Sequence, residues 1–204
     1  MEKNFEKVTD NLDQLDEDRE KILRISRNII RECSEAIKMI HRAQLDKYSE
    51  KMEKIEQNLD IMRNLVNKSP GYFYKYLKTP EQEYTEAIVL YSLINNKEIP
   101  YHTELKVDAL NYALGLADVV GELRRYVLDN IRNSNVEDIN EILEKMDEIY
   151  SHLFSLDYPS GLTKDLRHKT DTARNLIEKT RADVSLSVQM NTLSSLLKNK
   201  NEEN

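Results

Sequence analysis

The sequence predicts an all-α fold, and three observations predict it. Apolar residues recur every third or fourth position along nearly the whole chain, which is the pattern of helices with one buried face. The 204 residues include four glycines and four prolines, about 4% against the roughly 12% of an average soluble protein, so frequent tight turns and sheet-rich architectures are disfavoured. Apolar residues make up 39% and charged residues 33%, with a mean hydropathy of −0.69. That balance suffices for the core of one helical domain under a strongly charged surface.

Other classes are disfavoured on the same ground. No stretch approaches the ~18 uninterrupted apolar residues of a membrane span, and Met1-Glu2-Lys3-Asn4-Phe5-Glu6 lacks the apolar core of a signal peptide. The expectation is a cytoplasmic protein with no membrane partner. The single cysteine, Cys33, rules out an intramolecular disulfide and a thiolate zinc cage. The net charge of −7 disfavours nucleic acid as a partner of the whole surface. The charge is segregated, however: residues 1–20 are rich in Asp and Glu, whereas 21–42 hold six Lys or Arg against Glu32 and Glu35.

The elements follow in order. A first helix over about 15–44 carries Ile22, Ile25, Ile29, Cys33, Ala36 and Ile40 on one stripe, and a second over about 46–67 carries Tyr48, Met52, Ile55, Leu59, Met62 and Val66. The pair reads as a helical hairpin, closed by the breakers Ser69-Pro70-Gly71. After the aromatic run Tyr72–Tyr76, Thr79 suits an N-cap, Pro80 the first helical position and Gln82 a capping box. That helix runs to about Asn95, and another spans about 103–132. Ser134-Asn135-Val136-Glu137 opens the next, whose stripe is Ile139, Ile142, Met146, Ile149 and Leu153. Pro159-Ser160-Gly161 precedes a helix at about 162–181, a last amphipathic stretch covers about 184–198, and 199–204 reads as a flexible tail. The result is a single domain over 1–198, a bundle of about seven helices.

Four carboxylates stand beside the apolar stripes. Glu83 and Glu86 are one turn apart, Glu83 sharing its face with Ala87, Leu90 and Ile94; Asp118 lies four beyond Leu114, and Glu122 four beyond Asp118. Carboxylates at this spacing are common on acidic helices as solvated or capping groups, which Glu81 in a first turn illustrates. Drawn together, two such pairs would repel unless a hard divalent cation neutralised them, and oxygen ligands favour Mg²⁺ or Mn²⁺ over zinc. The small residues Ala113, Gly115, Ala117 and Gly121 admit close approach of another helix. A second constellation is basic: Arg24, Arg27, Arg31, Lys38 and Arg42 form a stripe opposite the apolar one, either a solvated face or a track for phosphates.

The stretch Ser26-Arg27-Asn28-Ile29-Ile30-Arg31-Glu32-Cys33-Ser34-Glu35-Ala36-Ile37-Lys38-Met39-Ile40-His41-Arg42 resembles the first-helix motif of the translin superfamily, and in particular its translin-associated factor X branch. Gln82-Glu83-Tyr84-Thr85-Glu86-Ala87 is similar to that family's Glu-Tyr-x-Glu-Ala segment. Gly115-Leu116-Ala117-Asp118-Val119-Val120-Gly121-Glu122-Leu123-Arg124-Arg125 is similar to its Gly-x-Ala-Asp-x-x-Gly-Glu-Leu-x-Arg segment. The resemblance spans roughly 17–182 and departs at Leu176–Ala182, where the family's Tyr-x-Leu-x-x-Arg-Gly ending is blurred.

The resemblance implies an all-α subunit that assembles into a barrel-like homo-oligomer, an octamer, with nucleic acid enclosed. In its catalytic branch it implies a Mg²⁺-dependent endoribonuclease acting on single-stranded or structured RNA, with Mn²⁺ as a substitute ion. By motif position, Glu83, Glu86 and Asp118 are the metal-binding and catalytic carboxylates with Glu122 beside them, and Arg27, Arg31 and Arg125 are phosphate contacts. The alternative is a non-catalytic protein of translin type that binds single-stranded RNA or DNA.

Overall fold

An apolar residue at every third or fourth position gives a helix one face to bury, and in the computed structural model each long helix buries such a face. The structure describes residues 1–131 and 136–202, with side chains at 1–131 and 137–193. In chain order the elements are α1 (Glu2–His41), α2 (Tyr48–Lys68), α3 (Pro70–Phe73), a 3₁₀ turn (Tyr74–Leu77), α4 (Lys78–Ile94), α5 (Ala109–Asn130), α6 (Val136–Phe154), α7 (Ser160–Thr163) and α8 (Leu166–Glu202). Among the described residues there is no strand, and no helix is long and apolar enough to cross a membrane. The fold is all-α. The chain divides into two compact units, Met1–Tyr91 with Pro100–Gly115 and Ser92–Ile99 with Leu116–Asn204.

In the first unit, α1 and α2 form the hairpin that their stripes require. Ile22, Ile29, Cys33 and Ala36 of α1 are fully buried, as are Ile55, Leu59, Met62 and Val66 of α2, each large aliphatic side chain contributing roughly 1.5–3 kcal/mol. Ala43, at φ 53°, makes the left-handed turn after α1, a conformation that costs an L-residue about 1–2 kcal/mol. Lys51 clamps the hairpin by donating to Glu32 at 2.5 Å and to Glu35 at 2.7 Å. Tyr48 anchors α4, its hydroxyl donating to the Ala87 carbonyl at 2.9 Å and its ring stacking on Tyr91 at 4.1 Å.

In the second unit, α6 buries Ile139, Ile142, Met146, Ile149 and Leu153, the stripe its sequence shows. α8 answers with Leu166, Ala173, Ile177 and Val184, and its Arg181 bonds the Asp147 carboxylate of α6. Arg124 of α5 reaches Thr180 at 3.0 Å and Asp183 at 2.9 Å on α8. Lys145 caps the end of α4 by donating to the Leu93 carbonyl at 2.9 Å and to Asn96 at 2.5 Å.

Several boundaries differ from those the sequence suggests, each for an identifiable reason. α1 begins at Glu2 rather than near 15, extending the Phe5, Val8 and Leu12 stripe into a segment where all three are exposed. α4 begins at Lys78, so Thr79 is not an N-cap and Pro80 lies inside the first turn, where a missing N–H costs nothing. α5 begins at Ala109 rather than 103 because Asp108 caps it, its Oδ1 accepting from the amides of Leu110 at 2.9 Å and Asn111 at 3.2 Å. The two helices expected at 162–181 and 184–198 are one, α8, which continues through Glu202. Ser134 and Asn135 of the suggested capping box, and residues 203–204 of the suggested tail, lie outside the described residues.

Candidate functional site

On α4 the apolar positions Ala87 and Leu90 are fully buried, which fixes the helix's rotation and leaves Glu83 and Glu86 half-buried beside them. Both carboxylates lie close enough to Cys33 of α1 for their charge to act on it. The Cys33 thiol there is pushed well above its ordinary range, first by burial and then by the charges of Glu83, Glu86 and Glu32, with Lys51 acting in the opposite direction. Cys33 is thus a buried, neutral thiol, consistent with simple packing. Glu83 and Glu86 belong to the first unit.

On α5, Leu114, Val120 and Leu123 are fully buried, and Asp118 and Glu122 flank them, one turn apart and half-buried. Lys169 of α8 donates from Nζ to Asp118 Oδ2, the two side chains being 25% and 35% exposed. Glu122 Oε2 lies 3.6 Å from Arg125 Nη1. Asp118, Glu122 and Lys169 belong to the second unit.

Among the described residues no group of three or more His, Cys, Asp or Glu side chains stands together as a metal cage. That does not decide against Mg²⁺, which retains several waters and is commonly held by one or two carboxylates together with substrate phosphates. Each pair offers hard oxygens at the spacing of one turn, so the donor chemistry fits such an ion. The Lys169 ammonium already places a positive charge on Asp118.

The basic residues divide. Arg24, Arg27, Arg31 and Lys38 are exposed on α1 and Arg42 is exposed just past its end; Arg31 donates to Asn28 at 2.7 Å and lies 3.5 Å from Glu32. Arg125, half-exposed, sits 3.6 Å from Glu122 and 3.8 Å from Asp129, so two carboxylates of its own helix already draw on its charge.

Two residues escape the sequence reading. Glu81, read there as a dipole-complementing first-turn residue, is 3% exposed and accepts from Asn111 Nδ2 at 2.8 Å, the Asp108 amide at 3.2 Å and Arg63 Nε at 3.4 Å. Its role is structural. Lys169 is the other: it falls three residues after the buried Leu166 and four before the buried Ala173, and a lysine on a buried stripe is the signal that marks it.

Comparison with known proteins identifies the family of the chain. The profile of the Translin family matches residues 17–184. An uncharacterized protein of Methanocaldococcus jannaschii is 36% identical over 173 residues, covering 84% of this chain and 77% of that protein. The translin-associated protein X homolog of Schizosaccharomyces pombe is 23% identical over 197 residues, covering 88% and 84%. Among solved structures, that of AfC3PO in complex with duplex RNA superposes with a TM-score of 0.83 at 26% identity, covering 92% of this chain and 97% of that one. The all-α architecture, the motif segments around Glu83 and Asp118, and a profile match spanning most of the chain agree: the protein belongs to the translin family.

Proposed function

We propose that the protein is a Mg²⁺-dependent endoribonuclease that works on single-stranded or structured RNA as a homo-oligomer, an octameric barrel enclosing its substrate. The observation that carries this reading is the half-buried state of Glu83, Glu86, Asp118 and Glu122 in a chain similar to a protein solved with duplex RNA. Carboxylates beside a phosphate-binding surface repel its ligand unless a divalent cation lies between them.

The Glu83–Glu86 pair and the Asp118–Glu122 pair each supply oxygens suited to Mg²⁺, or to Mn²⁺ in its place. When bound, such an ion polarises the scissile phosphate and lowers the pKa of an attacking water. Glu122 would orient that water or complete the ion's shell. Arg27 and Arg31 meet the phosphate backbone and fix its path without reading bases. Arg125 contributes to the same task once RNA competes with Glu122 and Asp129 for its guanidinium.

One observation favours a second reading, a non-catalytic protein that binds single-stranded RNA or DNA: Lys169 already bonds Asp118, which lessens the need for a metal there. End-labelled single-stranded RNA incubated with the protein in Mg²⁺ and in EDTA separates the two. Cutting that requires Mg²⁺ supports the nuclease, whereas RNA retarded on a native gel but intact in both buffers supports the binder. RNA neither cut nor retarded at low salt contradicts both.

A further inference from the structure

Lys169 is held in place by its backbone and by its neighbours. Lys164, at φ 49°, turns the chain between α7 and α8, and Leu166 and Ala173, 3% and 1% exposed, bury the face of α8 on which Lys169 lies. Its amide bonds the Asp165 carbonyl at 3.0 Å. Asp118 is equally fixed, one turn beyond the fully buried Leu114. The ion pair therefore joins two positions set by packing, and at 25% and 35% exposure it is better shielded than a surface pair of two free side chains.

A lysine ammonium and a divalent cation on one carboxylate repel each other. We propose that Lys169 is a positioning residue that holds the Asp118 carboxylate in the metal-free protein and is the cation a divalent ion must displace, so that this lysine sets the metal affinity of the Asp118 end. The inference rests on the reading of Asp118 as a metal ligand. It gives the ion pair two consequences: Asp118 remains compensated without metal, and metal binding there is an exchange of cations rather than the filling of an uncompensated site.

Titration of the full-length, chelator-stripped protein with MnCl₂, reading free Mn²⁺ by electron paramagnetic resonance, tests this on the wild type and on Lys169→Met, Lys169→Gln, Lys169→Arg and Asp118→Asn. The expected result is Mn²⁺ binding about tenfold tighter in Lys169→Met, near the wild type in Lys169→Arg, and weaker in Asp118→Asn. Lys169→Met also melts lower than the wild type in EDTA, because Asp118 has lost its counter-charge, and gains more from added Mn²⁺. Lys169→Gln keeps a polar stem and gives the same direction should the Met variant fold poorly. If folded Lys169→Met and Lys169→Gln bind Mn²⁺ no more tightly than the wild type while Asp118→Asn binds it less, the role of Lys169 is wrong and the metal reading survives. If Asp118→Asn binds Mn²⁺ like the wild type, Asp118 is not a ligand and both fail.

Discussion

Glu81 Oε2 accepts a 2.8 Å hydrogen bond from Asn111 Nδ2, with both residues more than nine-tenths buried. Through it α4 is tied to the first turn of α5, and the same carboxylate accepts from the Asp108 amide and from Arg63, which also donates to the Leu105 carbonyl at 3.2 Å. Removing the carboxylate takes this partner from the buried Asn111 amide and from a backbone N–H, while Arg63 keeps Asp60 at 3.1 Å and the Leu105 carbonyl. Glu81→Ala is expected to lower stability by about 3 kcal/mol and Asn111→Ala by about 1–2 kcal/mol. Thermal unfolding checks this, each kcal/mol moving Tm by about 2–4 °C at this chain length; an unchanged Tm in Glu81→Ala contradicts it.

Two glycines of α5 make opposite predictions. A Cβ at Gly115 would lie 2.8 Å from the Gln82 carbonyl oxygen and 2.8 Å from Thr85 Cβ, against backbone that cannot yield cheaply. At Gly121 the nearest atom is Leu176 Cδ1 at 3.9 Å, an ordinary contact. Gly115→Ala is expected to destabilise by about 1–3 kcal/mol, and Gly121→Ala to be neutral or to stabilise by up to about 1 kcal/mol through helix propensity. Urea unfolding of the two variants side by side reads the difference, and equal midpoints would refute the close approach at Gly115.

Tyr74 donates to Asp108 Oδ2 at 2.9 Å. Burial, together with that bond and the carboxylate's charge, pushes its phenol up to about 12. An unfolded chain's tyrosine ionises near ~10, so the unfolded state loses this proton first. The contribution of Tyr74 to stability is then fully present below pH ~10 and disappears as pH rises through about 12. Tyr74→Phe is expected to flatten the pH dependence of unfolding in that window and to remove one late-titrating phenolate from the absorbance at alkaline pH. A variant with the same alkaline profile as the wild type shows that Tyr74 titrates normally.

The exposed Arg27 and Arg31 carry a prediction about salt. If each neutralises one phosphate, Arg27→Ala and Arg31→Ala each weaken RNA binding across sequences and reduce the slope of log affinity against log salt by roughly 0.7–0.9. Fluorescence anisotropy with labelled RNA at graded KCl measures it. An unchanged slope assigns the stripe to solvent.

The helices whose faces are fully apolar were legible from spacing. α6 is the clearest case, since Ile139, Ile142, Met146, Ile149 and Leu153 are all buried. Boundaries were less so: the Asp108 cap looks like any other surface aspartate until its bonds to the Leu110 and Asn111 amides are seen. The break suggested near Ala182-Asp183 does not occur, because α8 continues through it with Val184 still buried. The carboxylate pairs lie within single helices, so a step of three or four residues marked them. The Lys169–Asp118 bond joins residues 51 apart in sequence, and the burial of Glu81 depends on Asn111, 30 residues away. Neither is written in a local period, because each requires knowing which helices pack together.

The most direct test of the central claim is cleavage of an end-labelled single-stranded RNA in Mg²⁺ by the wild type and by Asp118→Asn, with RNA affinity measured in parallel. The expected result is cutting by the wild type and none by the variant, with equal RNA binding and a cooperative unfolding transition that lies somewhat lower because Lys169 loses its counter-charge. An Asp118→Asn protein that cuts at the wild-type rate would contradict the assignment of Asp118 to the metal and to the chemistry.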